Sequence, residues 1–174
     1  MVADVGAKRR RWVAAIRADL AALVGGRALH VRALAALAPH DEALAHYVDA
    51  LRSQTLALGI RRQLKTDSRS ITLAGLVADL VGRAERGDPL SSVLSHPDAP
   101  GHVGADEDLR DALRALKARA QPAESYADRG LAHADRRTPP VPEREELERV
   151  LDNVLTLFRQ VAVMVEGPRS DPGL

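Results

Sequence analysis

The sequence predicts an all-α protein, an up-and-down bundle of about five to six helices. Three observations carry this. Apolar residues recur at three-and-four spacing along most of the chain. No useful stretch alternates apolar with polar residues. Gly and Pro cluster where one helical pattern gives way to the next. At 174 residues the chain has the size of one domain and can bury a sizeable core. Residues 1–166 are read as a single domain and 167–174 as a disordered tail.

The first pattern, from about Ala7 to Val24, places Val13, Ile16, Leu20, Leu23 and Val24 on one stripe, and Gly25-Gly26 is expected to end it. A shorter helix over about 27–37 follows, stopped by Pro39. A long helix then spans about Asp41 to Lys65. On it Leu44, Val48, Leu51, Thr55 and Leu58 form one stripe, while Leu56, Ile60 and Leu64 drift to an adjoining face. Two apolar faces on one helix call for several neighbours or a second copy of the chain. Thr66 to Ser70 reads as a turn, with Ser70 as N-cap of a helix over Ile71 to Arg86. Pro89, Pro97, Pro100, Gly101 and Gly104 mark a loop over 87–104 inside the one domain. The next helix, about 105–120, buries Leu109, Leu113 and Leu116, and Pro122 either kinks it or opens another. Pro142 is expected at the first position of the closing helix. Glu143, Glu145 and Glu146 suit that helix's positive end, and Gly167-Pro168 suit its termination.

Composition narrows function. A net charge of +1 with 28% charged residues rules out a strongly basic coat for nucleic acid, so contact with a polyanion must be local. The absence of Cys removes disulfides and thiolate metal sites and fits a cytoplasmic location. Aromatic residues are 2% of the chain, too few for a base-stacking platform. The N-terminus shows no apolar signal core, and no run approaches the roughly 18 apolar residues of a membrane span, so no membrane partner is expected. The run Lys8-Arg9-Arg10-Arg11 reads as a solvated helical turn or a contact for RNA or an acidic partner. His96, Asp98 and His102 share the Pro-rich loop without the spacing of a metal site. No cofactor and no metal are expected.

The chemistry concentrates in Tyr126-Ala127-Asp128-Arg129-Gly130-Leu131-Ala132-His133-Ala134-Asp135. On a helix Arg129 and His133 are an i, i+4 pair and share a face, with Tyr126 on the same side. An imidazole moves protons near neutral pH and a guanidinium holds phosphate, so the pair suits a phosphodiester. The same residues are also what a helix C-terminus decorated with cations presents. Arg61 and Arg62, with Lys65, form a smaller basic face ahead of the turn at Asp67.

The order of these segments resembles a known family. Arg61-Arg62-Gln63-Leu64-Lys65-Thr66-Asp67 closes one long helix, and Ser70-Ile71-Thr72-Leu73-Ala74-Gly75-Leu76 opens the next. Tyr126 to Asp135 and a long closing helix come later. Over about residues 45–165 this resembles the HEPN superfamily, in the branch linked to abortive phage infection. The resemblance implies a HEPN-like bundle that forms a homodimer, with two Arg/His motifs meeting across the interface in a cleft for RNA. It implies metal-independent RNA cleavage in phage defence or a toxin–antitoxin system, with an antitoxin protein as a further partner. His133 and Arg129 would then be catalytic, with Asp128 orienting them. Tyr126, Asp135, Arg61 and Arg62 would contact substrate. The family pattern is an Arg, a polar residue, three to four more residues, then His. Aligned on Asp128 and His133, its Arg falls at Ala127, and Arg129 is the cation beside it. The alternative is a non-catalytic dimerisation or nucleotide-binding module on the same bundle.

Overall fold

The computed structural model describes residues 2–67, 69–84, 105–131 and 139–167. These residues form an all-α bundle of five helices, one of which passes into a π-helical turn. The helices are α1 (Val2–Leu37), α2 (Glu42–Leu64), α3 (Leu73–Ala84), α4 (Ala105–Ser125, continued by the π turn Tyr126–Leu131) and α5 (Arg144–Glu166). The loop expected at 87–104, with His96, Asp98 and His102, lies outside the described residues, as do positions 168–174 of the tail.

Helix α2 is the central element, in contact with α1, α3, α4, α5 and the π turn. Its inner face carries Leu56, Ala57, Ile60 and Leu64, all buried. Around it close Val13, Ile16 and Leu20 of α1, Leu73, Leu76 and Val77 of α3, and Leu116 and Ala120 of α4. Leu151, Val154, Phe158 and Val161 of α5 complete one continuous core. These sets recur mostly at three or four residues, so most of the apolar stripes read from the sequence are surfaces that meet. Leu44, Leu51 and Leu58 of the other α2 stripe stay exposed. Gly59 brings α1 and α2 close, since a Cβ there would lie 2.6 Å from Leu23 Cδ1.

The first helix corrects the expected break. Gly25 and Gly26 lie inside α1, which runs unbroken from Val2 to Leu37. A helical glycine costs only about 1 kcal/mol, and contacts beyond the pair outweigh that. Arg27 donates to Glu148 and Asp152 of α5, each at 2.8 Å, and His30 Nε2 lies 3.0 Å from Asp49 of α2. Gly26 also makes room: a Cβ there would sit 2.8 Å from Arg52 Nη1. That buried guanidinium donates to the Leu23 carbonyl at 2.9 Å and to Glu148 Oε1 at 2.8 and 3.1 Å. By length and composition α1, between Val5 and Leu37, is long and apolar enough to cross a membrane. This differs from the expectation that no run is.

Other boundaries shift for local reasons. Thr72, not Ser70, caps α3: its Oγ1 accepts from Gly75 N at 2.9 Å while donating to the Lys65 carbonyl at 2.9 Å. Pro122 is exposed and inside α4, which continues through it to Ser125. Helix α5 starts at Arg144 with Glu143 as its N-cap residue, so Pro142 lies before the helix and not at its first position. Its other end is as expected. Gly167 has φ +87, a backbone region open to glycine, and its N–H bonds the Val163 carbonyl at 2.8 Å. In the basic run, Arg9 is buried and donates to Asp79 of α3 at 2.8 Å, so it ties α1 to α3 instead of facing solvent.

Candidate functional site

The C-terminal end of α2 and the π turn after α4 meet at one corner of the bundle. Arg61 and Arg62 sit in the last turn of α2, where cations suit the negative end of the helix dipole. Successive helical residues point about 100° apart, and the two guanidinium groups have different partners. Arg61 pairs with Asp128 of the π turn. Arg62 lies 3.2 Å from Asp19 of α1 and does not join Asp128. Gln63, the next residue, is buried, donating to Asp19 at 3.1 Å and accepting from Leu73 N at 3.2 Å. The α2–α3 junction is thereby fixed in position.

The π turn sorts the predicted site residues. Tyr126 and Ala127 are buried at 5% and 0% exposure, Asp128 is half-buried, and Arg129 is exposed. Tyr126 therefore packs in the core and does not share the face of Arg129, because the wider winding of a π turn changes the order in which residues come round. Ala127 faces the core as well, so the position where the family pattern has its Arg is fully buried. Arg129 is the outward cation of this segment. His133 and Asp135 lie outside the described residues.

Two residues join the corner that the motif does not contain. Lys117 of α4 donates to Thr66 at 3.1 Å, bracing the α2–α3 turn. Glu124 is half-buried, and its carboxyl is raised above the ordinary glutamate range. Burial is the main cause; Lys117 and Arg61 act against it and Asp128 adds to it. The signal was in the sequence. Lys117, Gln121, Glu124 and Asp128 follow at intervals of four, three and four, one face of a helix. The corner thus presents two neighbouring carboxyl groups in different environments together with the cations Arg61, Lys117 and Arg129. Such an arrangement can hold an anion and exchange a proton.

The second polar cluster is structural. Arg52, Glu148, Arg27 and Asp152 cross-link α1, α2 and α5, and Arg144 reaches Asp49 at 3.0 Å beside His30. Its charges are paired with one another across three helices.

Comparisons with family models, with characterised proteins and with solved structures give no match to this chain.

Proposed function

We propose that the chain acts on RNA as a metal-independent endoribonuclease of the HEPN type, in phage defence or a toxin–antitoxin system. The supporting observation is the meeting of Arg61 with Asp128 across 67 positions of sequence, beside the outward Arg129. It joins the two segments on which the family resemblance rests. In this reading the substrate 2′-hydroxyl attacks the adjacent phosphate, the P–O5′ bond breaks to leave a 2′,3′-cyclic phosphate, and the hydroxyl's proton ends on the departing 5′-oxygen. His133 moves the proton, and Arg129 stabilises the charge that develops on the phosphoryl oxygens. Asp128 holds Arg61 at the rim, where the guanidinium faces the same phosphate path.

A second reading is favoured by one feature. Ala127 is fully buried where the family pattern has Arg, which fits a module that binds RNA or a nucleotide without cutting it. Incubation of purified protein with mixed RNA in excess chelator separates the two. The nuclease reading expects cleavage by the wild type and a loss of at least about 100-fold in His133→Ala. Intact RNA that is nonetheless retained by the protein, and released by Arg129→Ala, would instead support the binding module. RNA that is neither cut nor retained would contradict both.

A further inference from the structure

We infer that the groove between α4 and α5 binds a single-chain phosphate monoester, with its head on Arg119 and Arg149 and its apolar body laid along the seam of the two helices. The groove shares no residue with the corner at the end of α2, and its ligand does not depend on the RNA reading. Two adjoining hollows make it up. One has a volume of about 350 Å³ and is lined by Arg119, Glu146, Arg149, Val150 and Asn153. The other, of about 220 Å³, shares Arg119 and Asn153 and continues past Ala112, Ala115, Leu116 and Leu157 to Gln160.

Side-chain size and spacing explain why a groove forms here. Ala112, Ala115 and Arg119 recur at three and four residues on α4, and Val150, Asn153, Leu157 and Gln160 do so on α5. Each set is therefore one face of its helix. The two alanines keep the α4 side low, so the helices pack through Leu116, Val150 and Leu157, which are buried and form the floor. Arg119, Arg149 and Gln160 are exposed and form the rim.

The first hollow suits an anionic head. Among the described residues neither Arg119 nor Arg149 joins an ion pair, and Arg149 donates only from Nε to the Glu145 carbonyl at 3.3 Å. Other arginines of this fold are met by carboxylates, as Arg27 and Arg52 are by Glu148 and Arg144 is by Asp49. Two unpaired guanidinium groups on one hollow repel each other, and an anion between them relieves this. Asn153 is half-buried, and its amide makes no hydrogen bond among the described residues. A phosphate head offers three acceptor oxygens to two guanidinium groups and one amide. Glu146 limits the charge on that head, because its carboxylate favours the monoanion, whose remaining P–OH can donate to it.

The second hollow suits a chain. Apart from the shared Arg119 its lining has no charged residue, and its floor is apolar. From Asn153 to Gln160 it follows seven residues of α5, about 10 Å at 1.5 Å each. A hydrocarbon chain along that seam replaces the row of side chains that Ala112 and Ala115 do not supply. Burial of its methylenes then adds to the attraction of the head.

Titration of the chain with n-alkyl phosphates, kept below their micelle concentrations and read from the NMR shifts of α4 and α5 amides, tests this. Affinity is expected to rise from ethyl to butyl to octyl phosphate, by up to about fourfold for each methylene that enters the groove. It is then expected to level off for chains that reach beyond Gln160. Arg119→Gln and Arg149→Gln should each weaken octyl phosphate by at least about fivefold. Ala115→Phe, with unchanged helical content, fills the apolar half and should bring octyl phosphate down to the affinity of ethyl phosphate. The assignment is overturned by shifts that do not saturate, by affinity that ignores chain length or rises without levelling, or by arginine variants that bind like wild type. Displacement of octyl phosphate by an equal concentration of short single-stranded RNA would give the groove to RNA and overturn it too. No readout here depends on RNA cleavage, so a failure is distinct from a failure of the nuclease reading.

Discussion

Arg52 and Glu124 are both ionisable groups drawn into the bundle, and they differ in how their charges are met. The guanidinium of Arg52 has a carbonyl on one side and Glu148 on the other, with side-chain exposures of 5% and 14% for the pair. Removing one member of a buried pair leaves the other uncompensated. Arg52→Ala is therefore expected to lower stability by about 3 kcal/mol, read from the urea midpoint, with Arg27 retaining part of Glu148's compensation; a shift below about 0.5 kcal/mol would contradict this. Glu124 has the opposite problem, since burial favours its neutral form. Its folded-state pKa is above the unfolded value, so the folded state binds the proton more tightly. Stability then falls as pH rises from the ordinary glutamate range through the raised value. Glu124→Gln should be more stable than wild type at neutral pH, and the difference should vanish on acidification below the ordinary range. Thermal melts across pH read this directly, and a gap independent of pH would contradict it. The role of Arg52 was not legible in the sequence, whereas Glu124 lies on a helical face with Lys117 and Asp128 that the spacing shows. Arg52 sits in the same helical pattern as exposed residues, and only the approach of α5 makes it a buried cation. Arg129 and Asp128 were legible as surface groups, while Tyr126 was misplaced because nothing in its neighbourhood announces a π turn.

At the scale of elements, the two glycines of the α1–α2 pair make the packing argument testable. Gly25 is helical, and a Cβ added there would have nothing within 4 Å, whereas a Cβ at Gly59 meets Leu23 at 2.6, 2.7 and 3.2 Å. Gly25→Ala should raise stability by up to about 1 kcal/mol through helix propensity. Gly59→Ala should lower it by about 1–3 kcal/mol through overpacking. Equal effects in denaturant titrations would show that the α1–α2 contact is looser than described. These positions also explain the main error in reading elements. A Gly-Gly pair is a sound local stop signal, and it loses to Arg27 and His30, whose partners lie more than a hundred positions and nineteen positions away in the chain. Some stops and starts set by local bonds were legible, as at Gly167 and at the start of α2, where the Asp41 carboxylate accepts from Leu44 N at 2.9 Å, while the α3 cap was misread by two residues.

For the molecule as a whole, the all-α class and the inward stripes followed from periodicity, because a bundle core is the sum of such stripes. The site followed only in part. Arg61 was read as part of a basic helix face and Asp128 as a site residue through the family resemblance; their meeting depends on how α4 crosses α2, which no local pattern encodes. The unburied stripe of α2 belongs to this scale too. Among the described residues it is an apolar surface that no other helix covers. In the proposed function the corner at the end of α2 is the functional centre, and 2′-hydroxyl attack there would leave a signature on the product. End-group analysis of RNA incubated with the protein in excess chelator tests it most directly. Attack by the 2′-hydroxyl predicts fragments ending in a 2′,3′-cyclic phosphate and a 5′-hydroxyl, formed by the wild type and lost in His133→Ala. Fragments with 3′-hydroxyl and 5′-phosphate ends, or identical cleavage by both proteins, would contradict it.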